Sequence, residues 1–445
     1  MSDASLQSAS LASVAASEST GGRSSVFYGW WIVMISATGL FFGVPLTVYS
    51  FSVFLKPLMQ EFHAGRAVIS LAYTLKLMTG AAVAPLVGWL IDRYGSRKII
   101  LLGTTLYGLT LLANRFVFGS IWQLYLFYIL LGLTLHGSGP IAYGNVVTHW
   151  FDRRRGLALG VMMLGIGLGA LVIPTLVQQL IVHWGWHTAY SILGGAVLLI
   201  PIPIVAAFLK EKPEHLGLQL DGLSISNVRM RRGPTSLGLS AAEAWQTGTF
   251  WLMLAAFALV SASVQGCLIH MSVMLTDRGL TAQLAALGSS LMGGAVLLGR
   301  VGTGYLLDRL FAPRVAAFFF AGSALGIALL CWSGVTPLAF VAAVLVGLGL
   351  GAEVDIIAYL TSRYFGLRAF GAIYSSIFAA FAVAGALGPL FMGAGFDRTG
   401  SYRGSLSVFL VATLLASLVM TRLGTYRFGA GQPTDSVDLP QPVAK

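Results

Sequence analysis

The sequence predicts an all-α integral membrane protein with twelve transmembrane helices in two pseudo-symmetric six-helix bundles. Of its 445 residues, 56% are hydrophobic and only 10% are charged, which is too little charge to cover the surface of a water-soluble domain. The apolar residues fall in runs of about 20, the length at which a helix crosses a hydrocarbon core of about 30 Å. In addition, a motif in the first half of the chain recurs in the second half.

Twelve apolar runs can be placed along the chain, and we number them as spans from first to twelfth. They lack the alternation of membrane β-strands and are longer than such strands need to be. The runs of the first half are 28–52, 68–91, 98–116, 121–147, 157–182 and 188–209. Those of the second half are 248–274, 284–307, 314–333, 338–361, 369–394 and 402–423.

The spans divide the chain into five predicted regions. These are a disordered cytoplasmic N-terminal tail (1–26), an N-terminal bundle (27–209), a cytoplasmic central loop (210–245), a C-terminal bundle (246–425) and a cytoplasmic C-terminal tail (426–445). The N-terminal tail is polar and lacks the apolar segment of a signal peptide. Within the central loop, "SAAE" (240–243) is a capping-box pattern that predicts a short helix.

Basic residues are distributed unevenly between the two ends of the spans. Nineteen of the 27 lie in the tails and in the loops on the side of the termini, and six lie on the opposite side. Because Lys and Arg are enriched in cytoplasmic loops, both termini are predicted to face the cytoplasm. The net charge of +11 is therefore an orientation signal, and no nucleic-acid partner is expected.

The sequence shows no pattern typical of an enzyme. Cys267 and Cys331 both lie within apolar spans, so neither a disulfide framework nor a metal site is indicated. "GIGLG" (165–169) lies within a helical run and follows no strand, which argues against a dinucleotide site. We therefore expect neither enzymatic activity nor a cofactor.

The internal repeat begins at the end of the second span with "GWLIDRYGSRK" (88–98) and recurs at the end of the eighth span as "GYLLDRLFAPR" (304–314). Its Gly, Asp and Arg positions are each separated by 216 residues. Parallel repeats of this kind build transporters that rock about a site between their halves. We predict that the motif gates the cytoplasmic side, its charges pairing across the halves in one access state only. The predicted gating residues are Gly88, Asp92, Arg93, Gly95, Arg97, Asp308 and Arg309.

The repeat resembles the cytoplasmic loop motif of the major facilitator superfamily, and the resemblance covers about residues 27–425. "GIGLGALVIP" (165–174) is similar to that superfamily's Gly-rich bend motif. Segments such as "FYGWWIV" (27–33), "HWFDRRRGLALG" (149–160) and "GRVGTGYLLDR" (299–309) resemble bacterial relatives of the monocarboxylate porter and oxalate/formate antiporter group. The resemblance implies a secondary transporter of a small organic monocarboxylate in a bacterial inner membrane. We expect a monomer, with protons and the lipid bilayer as its other partners.

Four charged residues lie inside the predicted spans: Lys76, Arg300, Glu353 and Asp355. Each costs at least ~2.5–3.5 kcal/mol at a helix centre, so such residues usually face an interior cavity. A guanidinium can hold a carboxylate by two parallel hydrogen bonds. Arg300 also falls where the resembled group places the eighth-helix arginine that binds the substrate carboxylate. The alternatives for Arg300 are a structural ion pair or a side chain that extends to the cytoplasmic surface.

The sequence departs from the resembled group at three places. Val296 stands where animal monocarboxylate porters carry an Asp, and their first-helix lysine falls near Tyr49. The eleventh span, 369–394, contains neither Lys nor Arg, whereas the oxalate exchanger has its second cation there. One cavity cation favours a monoanion over a dianion, and the usual proton site of the animal proteins is missing.

Glu353 and Asp355 are candidates for the coupling proton. They are two residues apart, or about 200° around a helix, so at most one faces a central cavity. A carboxylate withdrawn from water can load and release a proton near neutral pH. We predict that one of the pair does so, and favour Glu353 because it lies deeper. The alternative is that Asp355 pairs with Arg363 or Arg368 and locks the cytoplasmic gate.

Polar side chains of other spans are predicted to line the substrate pathway. They are Tyr49, Tyr143, Asn145, Gln265, His270, Tyr359 and Tyr374. Tyrosines combine an apolar ring with a hydroxyl and so suit a small organic acid, although they also serve packing. His136 and His270 are either ligands or structural residues. Lys76 either lines the outer vestibule or extends to the external surface.

Two other functions remain open. One is proton-driven efflux of hydrophobic or cationic compounds, in which Glu353 and Asp355 would bind the cation. The other is anion exchange. Replacing Arg300 with Ala should abolish anion transport but could spare cation export.

Overall fold

The computed structural model describes residues 27–151, 154–213, 238–307, 309–332, 336–366 and 368–428. The tail 1–26, the loop residues 214–237, the gating residue Asp308 and the tail from 429 onward lie outside this description. Within the described ranges the regular structure is helical, apart from one isolated bridge between Gly238 and Gly366.

Eleven helical segments of the described chain are long and apolar enough to cross a membrane. Those of the first half are Tyr28–Phe62, Arg66–Tyr94, Ser96–Phe116, Ile121–Trp150 and Arg155–Phe208. Those of the second half are Gly248–Asp277, Ala282–Leu307, Ala312–Trp332, Pro337–Phe365, Phe370–Thr399 and Arg403–Thr421. Arg155–Phe208 holds the fifth and sixth spans, divided at Gly185, whose φ of 77° suits glycine. The predicted twelve-span fold is confirmed.

The first span is longer than predicted and is broken near its middle. Its helices are Tyr28–Phe41, Val44–Thr47 and Phe51–Phe62. The break begins at Gly43, which has non-helical torsions (φ −95°, ψ −104°), and Pro45 follows at the start of the short middle helix. A break of this kind frees backbone carbonyls within the membrane, and these need donors from neighbouring helices.

The fourth span is also divided, into Ile121–Leu135 and Pro140–Trp150, by a 3-10 turn at His136–Ser138. The glycines at this point permit close packing: a Cβ on Gly103 of the third span would lie 2.6 Å from the Gly137 backbone. The Gly-rich segment 136–145 therefore serves helix contact here.

Glycines of the fifth span bring it against both bundles. A Cβ at Gly165 would lie 2.0 Å from the Ala37 carbonyl oxygen of the first span, and one at Gly167 would lie 2.8 Å from Leu297 of the eighth. The glycines of the bend motif are thus sites of close helix approach.

The two bundles are tied together on one side only. We call the end with the termini and the central loop the central-loop side, and the opposite end the far side. Inter-bundle contacts include Ser52 Oγ to Ser289 Oγ at 3.0 Å and Thr175 Oγ1 to Ser290 Oγ at 2.8 Å. Thr74 also donates to the Ala386 carbonyl at 2.6 Å. Within the described ranges, every hydrogen bond and ion pair between the bundles lies in the far half. The far side is therefore closed.

The predicted helix of the central loop is present as Ala241–Trp245. Ser240 Oγ accepts from the Glu243 backbone N–H at 3.3 Å, and the Glu243 carboxylate accepts from the Ser240 N–H at 2.7 Å. This reciprocal bonding is a capping box. The same bonding holds the pKa of Glu243 below its usual value.

Candidate substrate-binding site

Arg300 and Asp355 are brought together by close packing of the eighth and tenth spans. A Cβ at Gly351 would lie 2.1 Å from the Val296 carbonyl oxygen, and one at Gly299 would lie 2.2 Å from that of Leu348. Small residues are therefore needed where the two backbones meet. Beside this contact, Arg300 Nε lies 3.7 Å from Asp355 Oδ2. Arg300 thus faces a carboxylate of its own bundle.

This ion pair is loose. A separation of 3.7 Å exceeds hydrogen-bond range, and no hydrogen bond to Arg300 is found from any residue the structure describes. The Arg300 and Asp355 side chains are 29% and 40% exposed. The contact involves Nε alone, so the terminal nitrogens of the guanidinium can donate to another carboxylate, which would compete with Asp355 for the single positive charge.

Tyr49 connects this pair to the N-terminal bundle. It is buried, follows the break in the first span, and lies within electrostatic reach of both Arg300 and Glu353. On the other side, Tyr374 of the eleventh span lies within electrostatic reach of Asp355. We call Tyr49, Arg300, Glu353, Asp355 and Tyr374 the Arg300 cluster. It lies between the two bundles.

Glu353 and Asp355 have different surroundings, as their separation around the helix predicts. Glu353 is fully buried, and neither of its carboxylate oxygens has a hydrogen-bond partner among the described residues. An ionised carboxylate in such a place would cost several kcal/mol. The alternative pairing of Asp355 with Arg363 is not formed, because Arg363 donates to the Tyr359 hydroxyl at 3.2 Å and lies over its ring.

Lys76 does not extend to the external surface, contrary to one of its two predicted roles. It is buried, and its Nζ donates to the Thr47 carbonyl at 2.8 Å and to the Thr47 hydroxyl at 2.9 Å. The neighbouring Tyr107 hydroxyl donates to the Gly43 carbonyl at 3.1 Å. Lys76 and Tyr107 therefore satisfy carbonyls freed by the break in the first span, just before Tyr49.

Other predicted pathway residues have their contacts elsewhere. Tyr143 is fully buried within the N-terminal bundle, where a Cβ at Gly39 would lie 2.0 Å from its hydroxyl. Tyr359 is bonded to Arg363 towards the central-loop side. The structure shows no contact of either residue with Arg300, and their roles as ligands remain predictions.

Asn145 and Gln265 are both half-buried. The backbone carbonyl of Asn145 accepts a hydrogen bond from the Thr148 hydroxyl and lies 2.7 Å from His149 Nδ1. Gln265 packs beside Gly385. Gln265 Oε1 has no hydrogen-bond partner within the part of the chain that the structure covers. A ligand role for either side chain remains a prediction.

His270 belongs to a network on the far side that the sequence analysis missed. Its Nδ1 lies 2.9 Å from the Tyr402 hydroxyl, which also accepts from Arg66. Arg66 forms an ion pair with Asp277 at 2.6 Å across the bundles. The Asp397 carboxylate accepts from the backbone N–H groups of Arg66 and Ala67, at 2.9 and 2.8 Å. We call Arg66, His270, Asp277, Asp397 and Tyr402 the far gate. In the sequence, the far gate is indicated only by charged residues that stand at the ends of apolar runs.

The described gating residues of the central-loop side form no contact with the opposite bundle. Arg93 lies over the Trp89 ring, Arg97 donates to the Ala206 carbonyl at 2.5 Å, and Arg309 lies over the Tyr305 ring. Gly88 has open space at its Cβ position, whereas Gly95 has a φ of 89° that favours glycine. Separation of the gating charges that the structure describes is the arrangement predicted for an open central-loop side.

Solved structures and known proteins resemble this chain along most of its length. The crystal structure of a bacterial homolog to the human lysosomal transporter Spinster, in an inward-facing and occupied conformation, has a TM-score of 0.66 at 14% identity. The alignment covers 89% of this chain and 96% of that one. At this identity the likeness shows the fold alone.

Among curated relatives, monocarboxylate transporter 12-B of Danio rerio is 26% identical over 402 residues, covering 85% of this chain and 83% of that protein. The oxalate:formate antiporter of Oxalobacter formigenes is 25% identical over 278 residues, covering 61% and 62%. The uncharacterized MFS-type transporter YcxA of Bacillus subtilis is 27% identical over 188 residues, covering 41% of this chain. The chain spans only 45% of YcxA's length.

The sequence matches the Major Facilitator Superfamily over residues 30–389, which includes all but the first residues of the N-terminal bundle and the whole Arg300 cluster. This agrees with the twelve spans in two bundles, and the relatives are transporters rather than enzymes. The chain is therefore a multi-pass membrane transporter that belongs to the Major Facilitator Superfamily.

Proposed function

We propose that this protein carries a small organic monocarboxylate across a bacterial inner membrane, coupled to protons, with both termini in the cytoplasm. The observation that carries the proposal is Arg300, a permanent cation between the bundles whose ion-pair partner within the described chain is a loosely held carboxylate. Two relatives whose names specify monocarboxylate or oxalate and formate support an anionic substrate.

Binding begins when the anion enters from the open central-loop side. Its carboxylate takes the terminal nitrogens of Arg300 in two charge-assisted hydrogen bonds and displaces Asp355. The Tyr49 hydroxyl, from the other bundle, donates to the same anion. One ligand then contacts both bundles, so its binding energy can favour closure around it.

Coupling to protons follows from the displacement of Asp355. Once the anion occupies Arg300, the Asp355 carboxylate has lost its counter-ion in a partly desolvated site, and taking up a proton removes that cost. Anion and proton then cross together. The depth of Glu353 in its span favours it, from the sequence alone, as the proton carrier. The Arg300 contact favours Asp355 instead, and Glu353 is the second candidate because it is buried and forms no ion pair with a described residue.

Uptake into proteoliposomes tests the function. Labelled lactate, pyruvate, formate, oxalate and benzoate would be offered with and without an alkaline lumen. We expect monocarboxylates to accumulate in preference to oxalate and to do so only with the pH gradient. Exchange that ignores the gradient would favour the antiport alternative. Uptake of no organic acid would contradict the carboxylate assignment, and proton-driven export of cations would replace it.

Paired variants of the two acids identify the proton carrier. In Asp355→Asn the side chain cannot ionise, so the pH gradient should no longer drive accumulation. Counterflow of labelled substrate, which needs no proton gradient, should stay within about threefold of the rate of the unmodified protein. Glu353→Gln is the matched control, because an amide resembles a buried, protonated acid, and gradient-driven uptake should persist. The reverse outcome, with coupling lost only in Glu353→Gln, would return the proton to Glu353.

A further inference from the structure

We propose that the Arg300 cluster continues into a subsite for a flat apolar group, formed by a row of stacked aromatic rings on the eleventh span. This inference rests on the proposed function and narrows its substrate class. The preferred substrates are carboxylates with an aromatic or extended apolar body, rather than formate or other acids without one. The row consists of Phe370, Tyr374, Phe378 and Phe381, which we call the aromatic row.

The four rings lie on one face of the helix. Their spacing of four, four and three residues brings successive side chains above one another. Centroids of neighbouring rings are 5.7, 5.7 and 5.5 Å apart, with interplanar angles of 12°, 17° and 27°. At the rise of a helix, the row covers about 16 Å. That length accommodates an organic acid several times longer than formate.

The aromatic row lies on a helix that packs against the tenth span, which carries Asp355. Tyr374 lies within electrostatic reach of Asp355, whose carboxylate contacts Arg300. Tyr374 and Phe378 are half-buried, whereas Phe381 at the deeper end is 8% exposed. An acid whose carboxylate has replaced Asp355 on Arg300 therefore lies alongside these rings.

The ring contacts of the row differ from the ring contacts that join helices. Several aromatic pairs join two different helices edge to face, such as Phe257 with Phe320 at 89°. Among the described residues, the aromatic partners of these rings all lie within the row. Half-buried rings without a ring partner on a second helix leave a flat apolar surface, and a ring of the substrate can stack on it.

The charge distribution fits one kind of occupant. The site offers the Arg300 guanidinium at one end, and the row itself carries no cation, because the eleventh span from 369 to 394 contains neither Lys nor Arg. A molecule that is anionic at one end and apolar along its body matches this surface. A dianion such as oxalate would leave its second charge against aromatic rings.

Competition assays test the subsite. Labelled pyruvate uptake into proteoliposomes would be inhibited with acetate, butyrate, hexanoate, benzoate and 3-phenylpropanoate. We expect the apparent affinity to rise about threefold per added methylene along the aliphatic series and to be highest for the aryl acids. In Phe378→Ala, the affinity for aryl acids should fall about tenfold while that for acetate changes less than twofold.

Phe391→Ala is the matched control, since Phe391 lies on the same helix and is 47% exposed, outside the aromatic row. It should change neither affinity. The inference is overturned, with the proposed function intact, if pyruvate is transported but apolar length brings no gain, or if Phe378→Ala weakens all acids equally. Failure to transport any acid would overturn both.

Discussion

Replacing Arg300 with Ala is expected to lower carboxylate uptake at least about a hundredfold, which is the largest effect that the structure predicts. The variant removes two charge-assisted hydrogen bonds to the substrate, each contributing about 1.5–3 kcal/mol. It also removes the charge that compensates for bringing an anion between two apolar bundles. The measurement is initial uptake of labelled pyruvate into proteoliposomes at matched protein density.

Arg300→Lys separates the charge from the shape of the guanidinium. Lysine retains the positive charge but not the planar fork, so we expect a loss of about tenfold in apparent affinity. Full activity of the lysine variant would mean that the two-bond geometry is not used. Arg363→Lys is the control, because Arg363 is bonded to Tyr359 rather than to the Arg300 cluster, and it should transport at close to the unmodified rate.

Loss of transport in Arg300→Ala is informative only if the variant is folded. Arg300 forms no hydrogen bond with the described residues, and its ion pair is partly exposed, so little stability should be lost. Melting temperature in detergent would verify this. Uptake that survives in a folded Arg300→Ala variant would exclude Arg300 as the anion ligand.

The spans could be predicted from sequence because apolar length is a property of each segment alone. The end of the first span could not be predicted in this way, because Lys56 and Pro57 interrupt the apolar run although the helix continues to Phe62. The break at Gly43 was equally hidden. The carbonyls freed by the break accept hydrogen bonds from Lys76 and Tyr107, which belong to neighbouring helices.

Only part of the candidate site could be predicted from the sequence, again because the rest depends on how neighbouring helices pack. Helix periodicity indicated that only one of Glu353 and Asp355 could face the cavity, but not which one. That choice depends on the rotation of the tenth span, which is set by packing of Gly347 and Gly351 against the eighth. The spacing of the aromatic row is present in "FGAIYSSIFAAF" (370–381), but only Tyr374, its one polar member, was predicted to line the pathway.

The second large effect is expected at the far gate. Replacing Arg66 with Ala removes its 2.6 Å ion pair with Asp277, its hydrogen bond to the Tyr402 hydroxyl, and its contact with the Phe396 ring. Arg66 belongs to one bundle and all three partners belong to the other, so these contacts exist only while the far side is closed. The Arg66 and Asp277 side chains are 7% and 31% exposed. For a partly buried pair, we expect a loss of about 2 kcal/mol, or roughly thirtyfold in the closed-to-open ratio.

Spin labels on the two bundles can report this shift. Glu61 lies in the last turn of the first span and Thr399 is the last residue of the eleventh, and both are exposed on the far side. With cysteines placed there, pulsed EPR should show a longer distance population that grows in Arg66→Ala. Arg398→Ala, which removes an exposed arginine next to Asp397, is the control and should leave the distances unchanged. An identical distance distribution in Arg66→Ala would show that the Arg66 contacts do not hold the far side closed.

Transport in Arg66→Ala should fall even though the Arg300 cluster is untouched. Each cycle passes through a state closed on the far side, and a change of about 2 kcal/mol lowers the closed-to-open ratio about thirtyfold, which reduces the fraction of closed molecules by up to that factor. Ligand offered to the central-loop side should then bind more weakly in proportion to the lost fraction, whereas ligand offered to the far side should bind at least as tightly. This opposite response of the two sides distinguishes a gate from a general loss of stability, which would weaken binding from both.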